Sequence, residues 1–257
     1  MADPASETRF FHADDGTRVA WREFGGEGTA ARTVVLLHGY FSDARTNWIR
    51  YGHAAALVAR GFRVILPDLR AHGESDRPHD PACYPPDILA SDGHALVRHL
   101  ALSDYDLGGY SLGARTVCRM LATGARPRRA VFSGMGLDGL TDVGRRTGHF
   151  RHVLGNLGAH ERGGAAWMAE AFLKTTGGDP VALLGLLDSF VSTPRSRIER
   201  FDLPALVVNG AQDDDNGSAA ALADVLPDAR YVEVPGNHMS AVVRPELGAA
   251  IAGFLAG

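Results

Sequence analysis

Gly109-Tyr110-Ser111-Leu112-Gly113 constrains this chain more than any other segment. It fits G-x-S-x-G, in which a serine sits on a tight turn between a strand and a helix. The flanking residues suit that context. Asp104–Gly108 reads as a short strand, and Ala114–Leu121 reads as an amphipathic helix. Such a turn strains the serine backbone, so small residues are needed two positions either side, and glycine supplies the room. The hydroxyl then stands clear of the sheet with a helix N-terminus behind it. The pattern therefore implies a nucleophilic serine.

Strand-like and helix-like segments alternate along most of the chain, which predicts an α/β fold: a mostly parallel central sheet flanked by helices. Phe10–Ala13 and Arg18–Phe24 read as an N-terminal hairpin around Asp14-Asp15-Gly16. Thr33–Leu37 is a continuous apolar run, as expected of a buried central strand. A helix is expected over Trp48–Arg60, a strand over Phe62–Leu66, a helix over Asp87–Leu102 and a strand over Arg129–Ser133. After Gly134 the rhythm breaks. Residues 136–200 carry helical patches, best at Ala165–Leu173 and Pro180–Phe190, but no convincing strand. Alternation resumes with a strand at Pro204–Asn209, a helix at Ala219–Leu226, a strand at Tyr231–Val234 and a helix at Pro245–Leu255. The organisation expected is a core domain (1–135 and 201–257) split by a helical cap insertion (136–200).

A serine alone is a poor nucleophile. It needs a base, an acid that orients the base, and donors for an oxyanion. Open α/β sheets place their sites in loops at the C-terminal ends of strands. His238 follows the last strand, late in the chain, where the order serine, acid, histidine puts the base. Asp213, in Gly210-Ala211-Gln212-Asp213, is the acid candidate. Asp214 is the first alternative and Asp138 the second, while Asp215 could cap the following helix. The Leu112 amide, immediately after the serine, is one oxyanion donor. The Tyr40 amide is the other, aimed by a turn at Gly39, with His38 a structural hydrogen-bonding residue.

These pieces, with Asp68-Leu69-Arg70-Ala71-His72-Gly73-Glu74-Ser75 after the second central strand, occur in one order over nearly the whole chain. Together they resemble the α/β-hydrolase-fold serine hydrolases that carry a helical cap. That resemblance implies an esterase, lactonase, C–C bond hydrolase or cofactor-free perhydrolase. It disfavours the epoxide hydrolase and dehalogenase branches, whose elbow nucleophile is aspartate. It also implies that the Asp68–Ser75 loop buttresses the site. The expected activity is cleavage of a small to medium, largely apolar carboxylic ester, thioester or lactone. A non-hydrolytic enzyme on the same residues, or a binding protein that has lost turnover, are the alternatives. Substrate-pocket candidates are Tyr40, Phe41 and Met239 from the core, and Met135, Phe150, Trp167, Met168 and Phe172 at or in the insertion.

Other patterns carry less. Gly134-Met135-Gly136-Leu137-Asp138-Gly139 satisfies G-x-G-x-x-G, with Glu161 about 20 residues on, but no long apolar helix follows, so no cofactor is assigned. His149 and His152 lack partners at metal-ligand spacing, so no metal is assigned. Cys118 reads as a small buried hydrophobe, and Arg70, Arg145 and Arg146 as single surface arginines. Two cysteines offer no disulfide framework. A net charge of −4 argues against a nucleic-acid surface. The first seven residues show no apolar leader, and no apolar run approaches the roughly 20 residues of a membrane span. The expected setting is cytoplasmic, with a small-molecule substrate as partner; the oligomeric state is not legible.

Overall fold

The computed structural model describes residues 7–26 and 32–257. Most of the N-terminal stretch read for a leader, residues 1–6, lies outside them. Eight strands form one sheet: β1 (Arg9–His12), β2 (Arg18–Phe24), β3 (Arg32–Leu37), β4 (Phe62–Pro67), β5 (Tyr105–Tyr110), β6 (Ala130–Ser133), β7 (Ala205–Gly210) and β8 (Ala229–Val234). Their spatial order is β1-β2-β4-β3-β5-β6-β7-β8. β1 and β2 form an antiparallel hairpin and β2 pairs antiparallel with β4; every pairing from β4 to β8 is parallel.

Period-two alternation decides which face each apolar side chain serves. In β3, Val35 and Leu37 join one core cluster with Ile65, Leu107, Phe132 and Val207. Val34 and Leu36 join the other, with Val64, Leu66, Val131, Leu206 and Val208. The first face is covered by α2 (Ile88–His99), α3 (Leu112–Ala122) and α9 (Ala219–Val225) through Leu96, Val117, Met120 and Leu222. The second is covered by α1 (His53–Val58) and α11 (Pro245–Ala256) through Leu57, Ile251 and Leu255. Each fully buried Leu or Ile contributes about 1.5–3 kcal/mol. That is why the central strands read as continuous apolar runs.

The helix expected over Trp48–Arg60 is divided. A π-helical turn over Arg45–Ile49 precedes α1, and Gly52 (φ 80°) breaks the path between them. The segment between β6 and β7 contains α4 (Leu137–Thr141), α5 (Gly144–Gly155), α6 (Ala165–Thr176), α7 (Pro180–Asp188) and α8 (Arg195–Ile198), with no strand among its described residues. It docks on the loop after β3: Tyr40 Oη donates to the Leu183 carbonyl at 2.8 Å, and Thr176 Oγ1 donates to the Phe41 carbonyl at 2.6 Å. A short helix not expected from sequence, α10 (His238–Ala241), follows β8. In-register pairing of Leu37 with Gly109, Tyr110 with Ser133, and Gly210 with Val234 brings the loops after β3, β5, β7 and β8 to one edge of the sheet.

Candidate active site

Ser111 caps α3 with φ 54° and ψ −110°, a conformation most side chains avoid. Its N–H donates to the Ser133 carbonyl at 2.8 Å, which fixes the turn to β6. The flanking glycines are required by close approach. A Cβ on Gly109 would lie 2.2 Å from the Gly113 carbonyl carbon, and one on Gly113 would lie 2.1 Å from the Leu37 carbonyl oxygen. The turn is thus wedged against the end of β3.

His238 and Asp213 reach the serine from the other side. His238 Nε2 lies 3.0 Å from Ser111 Oγ, and His238 Nδ1 lies 2.9 Å from Asp213 Oδ2. An Nδ1–H that donates to the carboxylate leaves Nε2 unprotonated, so it accepts the serine hydroxyl. The Asp213 side chain is 1% exposed and that of His238 10%. Three features hold this arrangement. The Asn237 side chain caps α10, accepting from the Met239 and Ser240 N–H groups while Ser240 Oγ accepts from the Asn237 N–H. Asp213 N–H donates to the Gly210 carbonyl at 2.9 Å, turning the carboxylate inward. Gly210 packs so closely on Gly236 that a Cβ would sit 2.3 Å from its carbonyl oxygen.

Tyr110 supplies a support that the sequence did not single out. Its buried hydroxyl donates to the His238 carbonyl at 2.6 Å. Burial, and then Asp213 and Asp215, raise its pKa well above the usual tyrosine value, so it stays a neutral donor. The only cue was its place inside the serine motif.

The other aspartates go elsewhere. Asp214 is exposed. Asp215 pairs with Arg146 at 3.2 Å and does not cap the next helix; Ser218 does, accepting from the Ala221 N–H. Asp138 packs against Gly217.

The loop after β3 differs in detail from expectation. Gly39 does not take the left-handed turn; Phe41 does, at φ 60°. The Gly39 N–H donates to Asn47 Oδ1 at 3.0 Å, while Tyr40 N–H has no acceptor among the described hydrogen bonds. Leu112, first residue of α3, likewise has no intrahelical acceptor for its N–H. His38 holds the loop: Nδ1 donates to the Gly39 carbonyl (2.8 Å) and Nε2 accepts from the Leu69 N–H (2.9 Å). Burial lowers its pKa, consistent with this neutral structural role. The loop after β4 is a buttress. Asp68 accepts from the Ala44 and Glu74 N–H groups and from Arg22. Arg70 is fully buried and not a surface arginine, bonded to Asp15 and Asp92.

Of the expected pocket residues, the structure brings Tyr40, Phe41 and Phe150 together, with ring centroids 4.5–5.2 Å apart. Phe190, missed in the sequence, edges Tyr40 at 6.2 Å. Met135 is buried, and Phe172 is half-buried against the same core. Trp167, Met168 and Met239 are instead 38%, 56% and 52% exposed, so these three turn substantial surface to solvent. The glycines of the G-x-G-x-x-G segment serve packing: a Cβ on Gly136 would lie 2.2 Å from the Gly217 carbonyl oxygen. The helix that begins within the segment, α4, spans five residues. Among the described residues no group of three His, Cys, Asp or Glu could hold a metal ion. None of the described helices is long and apolar enough to cross a membrane. The Arg145 side chain lies outside the described residues.

Residues 32–135 match the model of the alpha/beta hydrolase fold family. A non-heme haloperoxidase of Rhodococcus erythropolis is 33% identical over 132 residues, 49% of this chain and 43% of that relative, so the match spans less than half of the relative's length. An enol-lactonase from Burkholderia xenovorans LB400 superposes with a TM-score of 0.77 at 23% identity, covering 97% of this chain and all of that one. A hydrolase from Pseudomonas aeruginosa PA01 superposes with a TM-score of 0.76 at 24% identity, covering 98% of this chain and 100% of that one. With its sheet order, the serine turn after β5 and these matches, the chain has the α/β-hydrolase fold.

Proposed function

We propose that this chain is a serine hydrolase that cleaves a small to medium carboxylic ester, thioester or lactone through an acyl-enzyme on Ser111. The hydrogen-bonded series Ser111–His238–Asp213 carries the reading. Ser111 Oγ attacks the carbonyl carbon while His238 Nε2 takes its proton. Asp213 holds the imidazole tautomer and stabilises the imidazolium. The Tyr40 and Leu112 amides receive the oxyanion; losing one such donor costs about 10²–10³ in rate. The imidazolium returns the proton to the leaving oxygen. Water, deprotonated by His238, then releases the acid and restores the serine. The helices between β6 and β7 act as a cap, with the Tyr40, Phe41 and Phe150 rings as apolar walls.

Perhydrolysis is the second reading, favoured by the likeness to a protein named as a haloperoxidase. Hydrogen peroxide would replace water at the acyl-enzyme and release a peracid. One assay addresses both. Purified protein and Ser111→Ala are compared on p-nitrophenyl esters, with and without peroxide. Ester turnover lost in the variant supports the proposal. Turnover by Ser111→Ala near the wild-type rate overturns it. Peracid formed only with the intact serine selects the second reading.

A further inference from the structure

Arg115 stands four residues past Ser111 on α3, and its N–H donates to the Ser111 carbonyl at 3.0 Å. It is 6% exposed. Among the described residues no acidic side chain bonds to it, and its Nε and Nη1 have no hydrogen-bond partner. Its described contact is a face-on approach to the Phe190 ring, 5.3 Å from the centroid. Burial, and then the nearby Arg146, lower its pKa to about 10, so it remains charged at neutral pH. Asp142 favours its charge without bonding to it, and a buried cation with no bonded counter-charge is costly and calls for a partner.

Arg115 lines a cavity of about 20 Å³ whose wall also includes Leu112, Thr116, Arg119 and Phe190. Leu112 follows Ser111 in the chain and Phe190 edges Tyr40, so two wall residues link the cavity to the surroundings of the candidate nucleophile. Two arginines border it, and only one is satisfied. Arg119 forms a forked pair with Asp87 at 2.7 and 2.6 Å. Asp87 also borders the cavity, but that fork engages both of its oxygens. Arg146 is drawn to Asp215. Arg115 is left at the wall of the space with its buried Nε and Nη1 lacking an acceptor among the described residues.

We propose that Arg115 and this cavity form a subsite for a carboxylate carried by the substrate, so that the ester cleaved at Ser111 is an anionic one. The inference rests on the serine-hydrolase reading and narrows its substrate class. A cavity with room for about one water-sized group can take a single oxygen of a carboxylate. A planar guanidinium is matched to that geometry.

The test compares isosteric pairs: monoethyl glutarate against ethyl valerate for a carboxylate on the acyl side, and 4-acetoxybutyrate against butyl acetate for one on the alcohol side. Acid release is followed by pH-stat with wild type, Arg115→Gln and Arg115→Lys. At least one pair should show a wild-type preference in kcat/KM for the anion, and Arg115→Gln should reduce that ratio about 10- to 100-fold. Arg115→Lys should retain part of it. A purely structural arginine would lower both members of a pair in parallel and leave the ratio unmoved, which would overturn the proposal; so would the absence of any wild-type preference. A second readout is independent of turnover and, in wild type, of any variant. Glutarate should raise the melting temperature of wild type, inorganic phosphate should not, and Arg115→Gln should abolish the glutarate effect. No shift with glutarate, or an equal shift with phosphate, would overturn the carboxylate assignment. Glutarate binding through Arg115 without hydrolysis of any ester would instead mark failure of the hydrolase reading alone.

Discussion

Asp213→Asn is the substitution whose effect the geometry defines most sharply. Asp213 Oδ1 accepts from the Asp215 N–H at 3.3 Å, and Oδ2 faces His238 Nδ1 at 2.9 Å. An asparagine in this 1% exposed position keeps the shape. The Asp215 N–H requires the amide oxygen on its side, so the amide NH₂ faces His238. That group only donates. Nδ1 must then accept, the ring proton moves to Nε2, and Ser111 Oγ meets a donor where it needs an acceptor. The wrong tautomer costs about 10⁴ in kcat, or about 5.4 kcal/mol of transition-state stabilisation. Packing is untouched, so the melting temperature should move little. The assay is steady-state hydrolysis of p-nitrophenyl acetate by folded protein, alongside Asp214→Asn and Asp138→Asn. Those two should stay within about three-fold of wild type, as expected for side chains that make no bond to the imidazole. Asp213→Asn keeping more than a tenth of wild-type kcat, or Asp214→Asn falling as far, would refute the tautomer argument.

Gly113→Ala places a Cβ 2.1 Å from the Leu37 carbonyl oxygen, so the turn or β3 must shift by about 1 Å; about 10²-fold lower kcat and a loss of about 1–3 kcal/mol should be seen by kinetics and chemical denaturation. Tyr110→Phe removes the buried donor to the His238 carbonyl; a loss of about 1–3 kcal/mol, lowering the melting temperature by about 2–4 °C per kcal/mol, should be visible by calorimetry. His72 is buried and neutral, with Nδ1 donating to the Arg70 carbonyl and Nε2 unpartnered. Burial, and then His38, depress its pKa to about 3. Between the ordinary histidine value of about 6.5 and about 3, the unfolded chain binds a proton that the folded chain does not. The folded state is therefore favoured fully above that window and loses about 1.4 kcal/mol per pH unit as pH falls through it. Denaturation midpoints measured from pH 7 to pH 4 should drop, and His72→Gln should flatten the slope; an unchanged slope would contradict the assignment.

The serine turn was legible because its demands are local: two glycines at fixed offsets have one steric explanation each. His238 was legible from chain order. Asp213 stood first among the acid candidates, but Asp214 and Asp138 stayed open, because the choice depends on the turn at Gly210 and its contact with Gly236, which join segments distant in sequence. The loop after β3 misled for a similar reason. Glycine is the expected site of a left-handed turn, yet Phe41 takes it, with its carbonyl accepting from Thr176 and its ring packed on Tyr40 and Phe150. One helix was expected over Trp48–Arg60, and Gly52 breaks it. The helices after β6 cover only part of the core, so their apolar residues need not all turn inward, and Trp167 and Met168 keep much surface exposed. Arg115 went unnoticed because nothing in the sequence separates a buried arginine from one at the surface.

The direct test is the site of covalent capture by a fluorophosphonate, read by intact-protein mass and peptide mapping. The relay of Ser111, His238 and Asp213 requires one adduct, on Ser111, that forms rapidly in wild type and more slowly in His238→Ala. An adduct on another residue, or none on Ser111 in folded protein, would contradict it.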